Sequence, residues 1–154
     1  MHQTIDKILK ARRYIIDRTS DLSAEQLNLC PPGFNNNIIW NLGHLVAAQE
    51  GICYRRSGLP TVIGEDFFAT YKPGSRPERP TTDEEVTRVR ELLTASVEKL
   101  QEDYDRAIFG EYKTWTNRYL MEINSIDTGI DFVLFHDAYH GGVIDAIKKI
   151  VTVK

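Results

Sequence analysis

At 154 residues, with 42% hydrophobic and 27% charged side chains, the chain has the make-up of one soluble globular domain, expected to span 1–154. A net charge of −3 with no basic cluster excludes a nucleic-acid-binding footprint. No apolar run reaches the length of a membrane span, and MHQTIDKILKARRYIID lacks the unbroken apolar core of a signal peptide, so a cytoplasmic protein is expected.

The first amphipathic helix is predicted from Thr4 to Arg18. Ile5, Ile8, Leu9, Ile15 and Ile16 fall at helical spacing, while Asp6, Lys7, Lys10 and Asp17 are polar. His2 is expected to sit in a frayed chain end. A short helix follows over Ser23 to Leu27, where Ser23 and Gln26 have capping-box spacing. LCPPGFNNN then breaks the chain. The second long helix is expected from Asn37 to Ser57, with Gly58 at its end. Its run of Ile38, Ile39, Trp40, Leu42, Leu45, Val46, Ala47 and Ala48 marks it as buried.

Residues 58–80, GLPTVIGEDFFATYKPGSRPERP, read as a long crossover. Phe67, Phe68 and Tyr71 carry too much apolar surface to stay in water and should pack over the helices, at the mouth of a site. The third long helix is predicted from Asp83 to Ala107, opened by a Thr82–Glu85 capping box, with Val86, Val89, Leu93, Val97, Leu100 and Tyr104 as its apolar stripe. Residues 108–127 show no clear period; WTNRYLMEI suits a short strand or a turn of helix. The fourth long helix is expected from near Thr128, with Asp131 at capping-box spacing, to about Val151. Four long amphipathic helices in one domain predict an all-α four-helix bundle with a long crossover between helices two and three.

His136 and His140 stand four apart in HDAYHGG. An i, i+4 pair on an α-helix diverges by only about 40°, so both rings leave one face. That face carries Gly129, Val133, Val143 and Ile147, while Asp131, Asp145 and Lys149 lie opposite, so the pair points inward. Asp137 is about 100° off this seam and is expected at the surface or, at most, behind a ligand. The motif is not HExxH, so no zincin-type base is expected. His44 shares a seam of the second long helix with Trp40, Asn41, Ala47, Ala48 and Gly51. The small residues there leave a cavity or admit a close neighbour; the sequence allows both. Three neutral imidazoles with an open position form a plausible metal site, and hydrogen-bonded core histidines are the alternative. Cys30 and Cys53 fit no CxxC pattern and read as buried free thiols of a reducing compartment, a single bridge or a reactive Cys30 being the alternatives.

WNLGHL in an apolar second helix, the Pro/Gly-rich crossover and HDAYHGGVI in the last helix together resemble the DinB-like (YfiT/DinB) family of four-helix-bundle metal proteins. The resemblance implies one divalent metal on His44, His136 and His140, with zinc or nickel as the expected occupant. It implies metal-dependent transfer of a low-molecular-weight thiol of the bacillithiol, mycothiol or glutathione type, and a homodimer. Related domains occur in mycothiol-dependent maleylpyruvate isomerase and in ergothioneine synthesis enzymes. Relatives often carry Gly-Gln after the last histidine, where this chain has Gly141, Gly142 and Val143.

The expected partners are a small-molecule thiol and an electrophilic substrate. Arg55, Lys72 and Arg76 are candidates to meet an acidic thiol or its substrate, against the plainer reading of solvated surface charge. No catalytic residue is assigned. A metal-dependent hydrolase and a non-catalytic metal or small-ligand binding module are the alternatives, and the lack of an obvious carboxylate base on either histidine seam weighs against the hydrolase.

Overall fold

The computed structural model describes residues 2–153 and is predominantly helical. Helix α1 spans Gln3–Arg18. His2 is not frayed: its Nδ1 accepts the Thr4 N–H at 3.2 Å and its own N–H donates to Gln101 Oε1 at 2.8 Å, so it caps α1 and ties it to a neighbour. Helix α2, Ala24–Asn28, opens with the capping box of Ser23 and Gln26.

Helix α3 spans Ile38–Gln49, and every residue in it is buried. Asn37 caps it by accepting the Trp40 N–H at 2.9 Å. The chain continues helically as predicted, but by different hydrogen bonding. Glu50–Tyr54 is a π-turn and Arg55–Ser57 a 3-10 turn, and Gly58 ends the run in the left-handed region at φ +70°. The crossover folds a short helix of its own, α4, Glu65–Tyr71, and buries Phe67 and Tyr71 against α3 while Phe68 packs on the edge of the core.

Helix α5 spans Asp83–Asp105 behind the Thr82–Glu85 capping box. The ambiguous segment is a small antiparallel hairpin, with β1 (Trp115–Thr116) paired to β2 (Glu122–Ile123) in the register Trp115 to Ile123. Helix α6, Ile126–Val151, begins earlier than the sequence suggested. Ser125 is its cap and Thr128 the third residue: each hydroxyl accepts the other's backbone N–H, at 3.2 and 3.0 Å.

Helix α1 packs against α5 and α6, and α3 packs against the same two. The four long helices therefore close a ring in the order α1, α5, α3, α6, a four-helix bundle with α1 diagonal to α3. Each helix faces two neighbours, so its buried face is wider than one seam. This is why Asp137 is fully buried rather than at the surface. The histidine seam of α6 turns toward α3, and Asp137 turns toward α1, where Arg12 meets it. Arg12 Nε donates to Asp137 Oδ2 at 2.7 Å, and its terminal nitrogens donate to Leu45 O on α3 and to Leu93 O and Ser96 Oγ on α5. One guanidinium thus touches all the other long helices.

Candidate metal centre

His44 is buried on α3, and His136 and His140 are partly buried on α6. The three rings meet where these helices pack. Ring centroids are 5.0 Å apart for His44 and His136, 4.7 Å for His44 and His140, and 4.4 Å for the α6 pair. One nitrogen from each lies within 4.8 Å of the others. Tetrahedral bonds of about 2.0–2.1 Å would place ligand nitrogens about 3.4 Å apart, so small side-chain rotations close the set.

Hydrogen bonds orient two of the rings. His44 Nδ1 lies 2.8 Å from Tyr71 O, a carbonyl that only accepts, so Nδ1 carries the proton and Nε2 the free lone pair. His140 Nδ1 lies 2.8 Å from Asn41 Oδ1. The Asn41 amide is itself held, because its Nδ2 donates to Asn36 Oδ1 at 2.9 Å and to Asn37 O at 2.7 Å. Its oxygen is therefore the atom facing His140, and that ring also presents Nε2. A ligating histidine characteristically donates its second nitrogen in this way. His136 has no such partner, and its buried Nδ1 is left unsatisfied by the protein, an orphan in a cluster that protein contacts alone do not complete.

All three imidazoles are neutral at pH 7. Burial is the first cause in each case. It lowers the pKa of His44, against the favourable Tyr71 carbonyl. Burial and then the neighbouring His140 and His44 hold His136 down to about 2, and burial and then His44 hold His140 down to about 3. Neutral rings are the form that binds a metal, so no proton needs to be displaced near pH 7. The nitrogens, their spacing and the orphaned Nδ1 fit a divalent cation.

The surroundings answer the question left open beside His44. The neighbour is a close approach, not a cavity. The Tyr71 ring lies directly on Gly43, where a Cβ would come 2.5 Å from Tyr71 Cδ1. Phe68 lies on Gly51 in the same way, with its Cε2 at 3.5 Å from such a Cβ. The crossover thus reaches the site through the Tyr71 carbonyl, while Phe67 and Phe68 pack into the core beside it. Trp40, one turn before His44, stacks on the imidazole at 4.6 Å and 12°. A cleft of about 330 Å³ lined by Trp40, Tyr71, Ser75 and Arg76 runs beside this indole but includes none of the histidines.

Of the cations singled out in the sequence, Arg55 pairs with Glu65 and lies 3.9 Å over the Phe68 ring. Arg76 lines the cleft, and Lys72 follows α4 as its C-cap. Behind burial, the positive charge of Arg118, in the turn between β1 and β2, also lowers the pKa of all three histidines. Neither cysteine joins the group. Cys53 is buried, and burial pushes its thiol well above the usual range. Cys30 is exposed rather than buried, its Sγ donating to Asn36 O at 3.1 Å. Gly141 gives room to Ile15 of α1, whose Cδ1 would be 3.5 Å from an added Cβ, while Gly142 meets nothing within 4 Å.

Sequence reasoning missed Tyr71 O and the partner of Asp137. Asn41 was visible on the His44 seam, three residues earlier, but its role was not. No helix among the described residues is long and apolar enough to cross a membrane. No curated protein matches the chain. The family model of the DinB superfamily matches residues 7–144, a span that contains all three histidines, the whole of α3 and most of α6. The chain belongs to the DinB superfamily.

Proposed function

We infer that this protein holds one divalent transition metal, zinc or nickel, on His44, His136 and His140, and uses it to present a low-molecular-weight thiol to an electrophilic small molecule. The observation that carries the reading is a cluster of three neutral imidazoles, two of them oriented through Nδ1, with no carboxylate or thiol among the described residues completing the set. When bound, the cation would favour a coordinating thiol as its thiolate, the nucleophilic form.

The protein's own part is orientation. Tyr71 O and the Asn41 amide hold two rings in the ligating tautomer, and Trp40 covers one face of His44. Neither cysteine is placed to be the nucleophile, so the thiol has to come from outside. Hydrolysis is the weaker reading. Asp137, the carboxylate next to His136, is committed to Arg12 and is not free to serve as a base.

Elemental analysis of protein prepared without chelator should show about one transition metal per chain, and His136→Ala should lose most of it; a variant that kept its full metal content would refute the ligand set. Metal-loaded protein should then conjugate bacillithiol, mycothiol or glutathione to monochlorobimane faster than the chelated form. Ester or amide cleavage without thiol would point to the hydrolase instead.

A further inference from the structure

Phe135 and Tyr139 directly precede His136 and His140, so FHDAYH carries an aromatic–histidine pair twice, four residues apart. On α6 this builds two parallel rows. The histidines form one, and the two aromatic rings form the other, turned from it by about 100°. Neither row carries a carboxylate, an ammonium or a guanidinium group.

The cluster is closed on one side. His44 is buried, the Trp40 indole is stacked on it, and the Tyr71 ring packs on the adjacent Gly43. His136 and His140 are only partly buried, so the cluster meets solvent mainly through the α6 pair. The aromatic row lies against that pair. Tyr139 meets His140 edge-on with ring centroids 5.2 Å apart, and it is 52% exposed. Phe135 is 43% exposed and stacks at 6.0 Å on Phe132, whose ring is 6.1 Å from His136. Tyr119, between β1 and β2, backs Phe135 edge-on at 5.2 Å. Its turn is held by Asn117 Oδ1, which accepts the N–H of Tyr119 at 2.9 Å and of Met121 at 3.1 Å. The rings are therefore in place before anything binds, and little freedom is lost when something does.

We propose that Phe135 and Tyr139 form a platform that selects the electrophile: an uncharged aryl or arylmethyl compound whose ring lies on the aromatic row beside the metal centre. The proposal rests on the thiol reading above and narrows its second substrate. Exposed apolar surface of this kind marks a binding surface, and here it begins at two of the three histidines. A protein partner laid over the row would also cover the α6 histidines and seal the cluster, whereas a small flat molecule leaves it reachable. The absence of charge in the row fits an uncharged ring. In the transfer the thiol gives its proton to solvent and its sulfur bonds to the electrophilic carbon, while a halide leaves with the electron pair of the broken bond.

Benzohydroxamate and acetohydroxamate share one metal-binding head and differ in a phenyl ring. Both are titrated by calorimetry into the zinc-loaded full chain, as wild type, Phe135→Ala, Tyr139→Ala and Tyr139→Phe. Each alanine variant should cut the preference for benzohydroxamate about fivefold, with zinc content and acetohydroxamate affinity unchanged, and Tyr139→Phe should keep it. A preference that survives both alanine variants, or that Tyr139→Phe loses, overturns the platform, as does a wild type that binds neither hydroxamate. Acetohydroxamate affinity falling in step would overturn it too, because the rings would then be supporting the metal or the fold. A dimer in sedimentation equilibrium that Tyr139→Ala dissociates would put a second copy of the chain on the row instead. The same proteins are assayed for conjugation of bacillithiol, mycothiol or glutathione to 1-chloro-2,4-dinitrobenzene and to iodoacetamide. If neither electrophile reacts while the hydroxamate preference behaves as expected, the thiol reading fails and the aryl platform stands.

Discussion

Glu50 has one carboxyl oxygen accepting the Val62 N–H at 2.8 Å and the other buried with no partner. Burial raises its pKa from 4.5 to about 7, with the Val62 hydrogen bond and Arg12 opposing. Between those pH values the folded chain keeps a proton that the unfolded chain releases. The stability this group contributes is therefore present below about pH 4.5, falls as pH rises toward 7, and is flat above. Glu50→Gln should gain on wild type by up to about 3 kcal/mol between pH 4.5 and 8 in urea unfolding. A difference independent of pH would mean that Glu50 ionises as freely in the fold as outside it. At this scale the histidines were legible because one period governs them: an i, i+4 pair on an apolar seam points inward whatever the neighbouring helix. Arg12 was legible in principle, since it falls on the stripe of Ile5, Ile8, Leu9 and Ile15. Asp137 was not, because its environment depends on which helix lies beside α6, and no residue of α6 states that.

The element that brings backbone to the site is α4, and Gly43 is what lets it in. Gly43→Ala would put a methyl group into the Tyr71 ring, and the rest of α3 is too tightly buried to yield. The variant should lose about 1–3 kcal/mol of stability as Tyr71 moves off. Its metal affinity should drop about 10–100-fold, because the carbonyl on His44 Nδ1 moves with that residue. Competition against a chromogenic chelator measures the second effect, and unchanged affinity would show that the Tyr71 carbonyl is dispensable. The crossover's aromatics could be read as packing residues from their size. Their division of labour could not, since Tyr71 contributes its main chain, which leaves no mark in a side-chain pattern. The π-turn at Glu50–Tyr54 is likewise silent in the sequence, whose helical period runs through it unbroken.

Across the whole molecule, the Arg12–Asp137 pair holds the bundle at its centre. Asp137→Leu strands a buried guanidinium and should destabilise by about 3–5 kcal/mol. Arg12→Met combined with Asp137→Leu removes both charges and should destabilise less than Asp137→Leu alone. Urea unfolding of Arg12→Met, Asp137→Leu and the double variant closes the double-mutant cycle, and simple additivity would mean that the two residues act separately. The bundle was legible from four long periodic segments, because each needs a partner for its apolar face. Its ring order, α1, α5, α3, α6, was not, since periodicity shows that a face is buried without saying against what.

More than half of the chain lies between His44 and the α6 pair. An ion cannot bridge them until that long loop has been closed, and closing it is the work of the bundle itself. A metal ion held by the three histidines should therefore arrive late on the folding route. In stopped-flow chevrons it should leave the refolding limb nearly where it is and slow the unfolding limb, because its contacts are absent from the transition state. A metal-accelerated refolding limb would instead place the meeting of α3 and α6 among the first events of folding.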